Sequence, residues 1–352
     1  MFSGFVGIIL IFFIPYTASG FKAVGTLFNS LFGFDYHVSM IAGAAIIIGY
    51  TVLGGFLAVS TTDLIQSVVM SIALIIIVFF GIHVAGGWDA VISNAQSLAG
   101  YLSMTSMHNM ADHTSSPYSL LTICSTLAWG LGYFGMPHIL LRFMAIEDEN
   151  KLTLSRRIAS VWVVISMFVA ILIGIIGYSA SVPMLSTSSQ SETIIIQLSG
   201  LLGQNGFLLS IIAGIVLAGI LASTMSTADS QLLTAASGIS QNLLQDFLKI
   251  KMDTKTSMRA ARLTVIGIAL VAVVLAWNPD SSVFTIVSFA WAGFGASFGP
   301  VMLFALFWKR SNLPGAIAGM VAGGVMVFVG NMASSLWAVS GESTNCSRHS
   351  WW

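Results

Sequence analysis

Nine apolar runs, each long enough to cross a lipid bilayer, occupy residues 3–28, 38–60, 62–86, 119–141, 158–181, 207–243, 260–277, 283–308 and 314–338. About 20 residues at 1.5 Å each span a hydrocarbon core of roughly 30 Å, and inside that core every backbone amide and carbonyl needs a partner. The pattern predicts an all-α integral membrane protein of about nine transmembrane helices. Only 7% of the residues are charged, against roughly a quarter in a soluble domain, which excludes an ordinary cytosolic protein. The first run is not a secretory signal, because it lacks a basic leader, and Tyr16, Thr17 and Ser19 precede more apolar sequence rather than a cleavage site.

The few charges carry topological information. Arg142, Lys151, Arg156 and Arg157 follow the fourth run; Lys249, Lys251, Lys255, Arg259 and Arg262 lie at or just beyond the end of the sixth; Lys309 and Arg310 follow the eighth. If the runs alternate, all of these sit on one face, and basic loops are retained in the cytoplasm. The connections 87–118 and 182–206 contain no Lys or Arg and are expected outside. The chain start is thus expected in the cytoplasm and the chain end outside, in a multi-pass protein of the cell membrane. The 13 basic and 13 acidic residues cancel, so nothing points to nucleic acid as a partner. Cys124 and Cys346 form neither a metal-ligand spacing nor a disulfide framework. No nucleophile and base set or phosphate-binding loop stands out, and the chain reads as no enzyme.

Two runs are interrupted. WGLGYFGMPH, residues 129–138, places three glycines and a proline in what should be one helix, and WAGFGASFGP, residues 291–300, repeats the pattern. Gly costs about 1 kcal/mol and Pro about 3 relative to Ala in a helix interior. Two roles fit such breaks: a kink with aromatics packed on neighbouring helices, or freed carbonyls and amides that meet a solute while Trp129, Tyr133 and Phe134 close over it. The recurrence of the break in a second run favours a transporter site.

LASTMSTADSQLL, residues 221–233, raises a different question. At 100° per residue, Ser223, Ser226, Thr227, Ser230, Thr234 and Ser237 fall within about 100° of one another, a polar stripe on an apolar helix. Small residues of this kind pack helices together in membranes, and hydroxyls with carbonyls also suit a hard monovalent cation such as Na+. Asp229 flanks the stripe, and an acidic residue within a span costs about 2.5 to 3.5 kcal/mol on insertion scales. Its position in the cytoplasmic half of the span suggests access to water. Asp63, at the inner start of the third run, reads as a functional acid or as an N-cap. Lys22, near the outer end of the first run, reads as snorkelling to the interface.

GGFLAVSTTDLIQ (54–66), WGLGYFGMPHILLRFMA (129–145), AGILASTMSTADSQLL (218–233), WAGFGASFGPVMLF (291–304) and PGAIAGMVAGG (314–324) together resemble the sodium:solute symporter family, in order from about residue 8 to about 330. They are most similar to its sodium/proline branch. The resemblance implies a LeuT-type inverted-repeat transporter fold, with alternating access around a midplane site. It implies Na+ as the coupling ion, no further cofactor and L-proline as the solute. Carried over position by position, it places Ser226, Thr227 and the Ser223 carbonyl as sodium ligands and Asp63 on the inner sodium path. Trp129, Tyr133 and Pro137 would shape the solute pocket, with Tyr16 as a further sensitive position. Asp229 falls where the family varies and rests on its own chemistry alone.

Family members carry further spans before the one that opens this chain, including a broken helix that supplies the other half of the sodium site, and a further span after its last. The expectation is therefore an incomplete symporter core over residues 1–338, followed by an atypical polar tail over 339–352. The chain by itself would then show little Na+-dependent proline uptake, and a separately encoded N-terminal segment would be its partner. The alternatives are a symporter for another small solute, such as pantothenate or a carboxylate, or a non-transporting remnant or subunit.

Overall fold

Helices account for almost all of the described residues, 3–109, 113–180 and 188–339, of the computed structural model. The tail from residue 340 onward lies outside the described residues. In chain order the elements are α1 (Ser3–Phe32), α2 (Tyr36–Val84), α3 (Trp88–Ser97), strands β1 (Ser106–Asn109) and β2 (Thr114–Pro117), α4 (Leu120–Ala128) and α5 (Pro137–Met144). They continue with α6 (Leu152–Ser179), α7 (Ser188–Ser191), α8 (Ile194–Gly203), α9 (Phe207–Ser237), α10 (Thr254–Leu275), α11 (Val283–Phe307) and α12 (Leu313–Val339).

Among the described residues, seven helices are long and apolar enough to cross a membrane. The nine expected runs reduce to seven for two reasons. The second and third runs share the 49-residue α2, which breaks at Gly55 with φ 65° and ψ −168°, a conformation open to glycine because it has no Cβ. A straight helix of that length would extend roughly 70 Å, far beyond one bilayer. The two arms of α2 instead both flank α9: Tyr50 of the first reaches Met225 and Asp229, and Asp63 of the second reaches Ser230. The fourth run is split into α4, a 3-10 segment over Trp129–Gly135, and α5, as its glycines and proline predict.

The eighth run departs from expectation. α11 continues unbroken through WAGFGASFGP, with Pro300 inside it. Its glycines serve close approach rather than interruption: a Cβ on Gly295 would lie 2.9 Å from the Cα of Gly132, and Gly293 leaves room for the Phe12 ring. Gly135, on the broken segment, sits so close to the Phe294 carbonyl and the Gly299 amide that a side chain has no space there. Glycine faces of this kind let helix backbones approach in membranes.

α1 is the central helix. Some 56% of its apolar window is buried, against 6% for the window that covers α6. Phe12, Phe13 and Phe21 are fully enclosed, in a core shared with Met40 of α2, Leu232 of α9, Ala269 of α10 and Phe294 of α11. Leu53, Leu57, Phe79 and Phe168 point outward as lipid-facing side chains.

Helix starts follow local chemistry. Ser119, Asp253 and Ser282 accept hydrogen bonds from the amides of Thr122, Thr256 and Thr285, the N-cap arrangement that satisfies otherwise orphaned donors. α10 therefore begins at Thr254, before the apolar run that marked it. The connections 87–118 and 182–206, expected as loops, hold α3, the β1–β2 hairpin and α8; the hairpin pairs Ser106 with Pro117 and Asn109 with Thr114. Past α9 the backbone widens to a π-helix over Gly238–Phe247.

Gly135→Ala forces a methyl group against backbone and is expected to destabilise the protein by about 1 to 3 kcal/mol, the usual cost of overpacking. Gly130→Ala, where an added Cβ meets nothing within 4 Å, is the matched control. Thermal unfolding in detergent checks the pair, and equal melting temperatures would refute the packing role of Gly135.

Candidate functional site

At the centre of α9, Ser226 Oγ and Thr227 Oγ1 both donate to the Ser223 carbonyl, at 3.2 and 3.1 Å. This is the resort of hydroxyls inside a helix that cannot turn to water. With both protons committed, the hydroxyl oxygens keep lone pairs free, so the three residues offer hard oxygen donors within one helical turn. All three are half-buried. The neighbouring face of α9 packs on α1, where Gly20 lies against Thr224 and Ala228, and Thr17 Oγ1 donates to Gln231 Oε1 at 3.2 Å.

One turn further along, Ser230 Oγ donates to Asp63 Oδ2 at 3.3 Å. Asp63 is paired with Arg142, whose guanidinium also donates to Ser60 Oγ and Ser230 Oγ, each at 2.7 Å. The N-cap reading of Asp63 fails: it lies two turns into the second arm of α2, well past the Gly55 break. Arg142 is likewise no loop residue, because it occupies the last turn of α5 and faces inward.

Asp229 is fully buried, so the expected water access is absent. Its Oδ2 accepts from Tyr50 Oη at 2.9 Å. The Oδ1 atoms of both Asp63 and Asp229 are buried without a hydrogen-bond partner, and the two carboxyl groups feel each other electrostatically. Two carboxyls against one guanidinium leave the cluster one positive charge short, a demand that a cation or a proton satisfies. The residues present thus fit a hard monovalent cation.

The aromatic half of the site is built around Trp291 of α11. Its indole Nε1 donates at 3.1 Å to the carbonyl of Trp129, the first residue of the 3-10 segment between α4 and α5. Its ring stacks on Trp129, centroids 6.0 Å apart at 24°, and meets Tyr133 edge-on at 4.9 Å. Tyr16 of α1 approaches Trp291 at 6.4 Å and His138 at 6.1 Å. Pro137 is the first residue of α5, where its missing amide costs nothing. A cavity of about 340 Å³ opens between the broken segment and α11, lined by Ser125, Trp129, Gly132, Ser288 and Trp291. Trp129 lines it; Tyr133 and Pro137 do not.

The structure therefore joins Tyr16, Trp129 and Tyr133 in one aromatic group around Trp291, and Asp63, Asp229 and Ser230 in one polar group, one turn along α9 from Ser226 and Thr227. Sequence reasoning passed over Tyr50, Arg142 and Trp291. For Arg142 the signal was a lone cation in the apolar run HILLRFM, and for Trp291 an indole opening a glycine-rich stretch. Tyr50 has no such signal.

Tyr50→Phe removes the phenol that donates to Asp229 Oδ2 and is expected to cost about 1 to 3 kcal/mol, the penalty of a poorly satisfied buried acceptor. In an Asp229→Leu background the same change should cost far less. Unfolding measurements on the four variants of this cycle decide it, and equal costs in both backgrounds would dismiss the pair.

Comparison with known proteins places the chain. The model of the sodium:solute symporter family matches residues 5–323. The chain is 39% identical to the high-affinity proline transporter PutP of Bacillus subtilis (strain 168), covering 97% of this chain and 68% of that one. It is 39% identical to the sodium/proline symporter of Staphylococcus aureus, over 92% of this chain and 61% of that protein. The osmoregulated proline transporter OpuE of Bacillus subtilis (strain 168) is 38% identical over 92% of this chain and 63% of its own length. The chain thus spans roughly two thirds or less of these relatives. A solved structure of a Na+-coupled sialic acid symporter, in a substrate-bound outward-open state, superposes with a TM-score of 0.67 at 17% identity, covering 96% of this chain and 67% of that one. That likeness is one of fold, and it agrees with the LeuT-type architecture expected from the motifs. With a family match across nearly its whole length, the chain belongs to the sodium:solute symporter family.

Proposed function

We propose that this protein takes part in Na+-coupled uptake of L-proline across the cell membrane by alternating access. The observation that carries the reading is the convergence on one α9 face of the Ser223 carbonyl and the Ser226 and Thr227 hydroxyls, followed one turn on by two carboxyl groups that each keep one buried oxygen unpartnered and together are short of one positive charge. Hard oxygen donors in a low-dielectric interior suit Na+. The proline transporters among its relatives supply the solute, and Trp129, which lines the cavity beside Trp291, supplies an aromatic wall for a small ring, with Tyr133 edge-on to Trp291. Tyr16 of α1 packs against Trp291 and His138 on the aromatic side, and Asp229 supports the ion side.

In this reading, ion binding on α9 and solute binding against α5 and α11 bias the same conformational equilibrium, so each ligand tightens the other. The basic segments 151–157, 249–262 and 309–310 face the cytoplasm.

The test is uptake of labelled L-proline by cells that carry the gene in its own context, compared with cells from which it is deleted and with a chromosomal Thr227→Ala variant. Uptake that needs Na+ is expected, with the variant requiring roughly ten-fold more Na+ for half-maximal rate, the effect of about 1.4 kcal/mol of lost ion binding. Uptake indifferent to Na+ or to the gene overturns the reading. Competition by pantothenate or a carboxylate but not by proline would redirect it to another solute.

A further inference from the structure

Lys22, in the outer half of α1, does not snorkel to solvent: it is 1% exposed. Its ammonium donates to the carbonyls of Pro279 at 2.5 Å and Asn278 at 3.4 Å. The two preceding carbonyls are also taken by side chains. Tyr36 Oη donates to Ala276 at 2.6 Å, and His37 Nε2 lies 3.1 Å from the Trp277 carbonyl, a contact that needs the Nε2–H tautomer because a carbonyl only accepts. Four consecutive carbonyls at and beyond the end of α10 are thus capped by α1 and α2. The terminal carbonyls of a helix lack partners within it, and a cation there is favoured by the helix dipole. The Tyr36 ring, 5.7 Å from the Lys22 ammonium, and the acidic neighbours Glu192 and Asp280 complete its surroundings.

α11 starts directly after this clamp. Ser282 is its N-cap, and Glu192 accepts from the Val283 and Phe284 amides at 3.0 and 2.8 Å and from Ser282 Oγ at 2.6 Å. The connection is therefore held at both ends, and its position sets the height of α11 along its axis. That height matters for the aromatic site: Phe284, in the first turn, stacks on Trp129, centroids 5.5 Å apart at 15°, and Trp291, about two turns on, meets both the ring and the carbonyl of Trp129.

We propose that Lys22 is a positioning residue for the aromatic site: by holding the Asn278 and Pro279 carbonyls it fixes the start of α11, and through α11 the placement of Trp291 against Trp129. The consequence for solute affinity rests on the proposed proline site; the structural consequence does not.

Hydrogen–deuterium exchange of the whole chain in lipid nanodiscs reads the structural part without any ligand. Lys22→Met is expected to speed exchange roughly ten-fold over residues 277–286, the effect of losing a charge-assisted hydrogen bond. It should also speed exchange over 128–134, which Lys22 does not touch, while 221–232 stays as in the wild type. Tyr36→Phe, which removes only the Ala276 bond, should give the same pattern with smaller amplitude and guards against a variant that fails to fold. Exchange confined to 277–286, or raised everywhere in both variants, overturns the proposal, because the clamp is then a local or general support. In cells with measurable uptake, the KM for proline should rise while the Na+ dependence is retained; equal losses in both would also overturn it.

Discussion

Backbone groups that leave a helix inside a membrane have to be met by protein, and Trp129–Met136 is where this chain takes on that obligation. The rest of the arrangement follows from how it is met. The Trp291 indole takes the Trp129 carbonyl, and the glycines of α11 bring its backbone against Gly132 and Gly135. α1 then closes over the same region with Phe12, Phe13 and Tyr16. The break and its cover form one unit, so the aromatic site is pre-built by the same contacts that make the break tolerable.

Charge is handled by the same rule. Charged groups of the helical interior are tied to partners on other elements: Arg142 to Asp63, Ser60 and Ser230, and Lys22 to the carbonyls past α10. Asp229 has a phenol instead of a cation, and it and Asp63 each keep one buried oxygen unpartnered. A network left one positive charge short in a low-dielectric interior is costly by itself and becomes favourable when an ion enters. The polar cluster thus keeps two buried carboxylate oxygens unpartnered, whereas the aromatic group is closely packed around Trp291.

Much of this was legible from residue patterns. Apolar run length located every long helix, because a membrane imposes a minimum length that no packing argument overrides. The hydroxyl stripe of α9 could be placed by helical periodicity, since the helix is regular there. Legibility failed where the partner came from a distant element. WAGFGASFGP and WGLGYFGMPH look alike on paper, yet only the second breaks, because glycine has two uses, freedom to break and room to approach. Which one applies depends on the neighbouring backbone. Asp63 read as an N-cap because the turn was expected near residue 61, while the actual turn sits at Gly55, whose positive φ leaves no mark in the sequence beyond one glycine of a pair.

The sequence by itself determined that this protein lives in a membrane, roughly where its helices run, which α9 face is polar and to which family it belongs, because hydrophobic length, periodicity and motif are properties of contiguous residues. Only the tertiary structure decided that Arg142 faces Asp63 rather than solvent, that Tyr50 holds Asp229, that Trp291 completes the aromatic group, and that Lys22 is buried against the Asn278 and Pro279 carbonyls. Those pairings join residues from tens to more than two hundred positions apart. They exist because buried polar groups must find partners wherever the packing of helices happens to bring them.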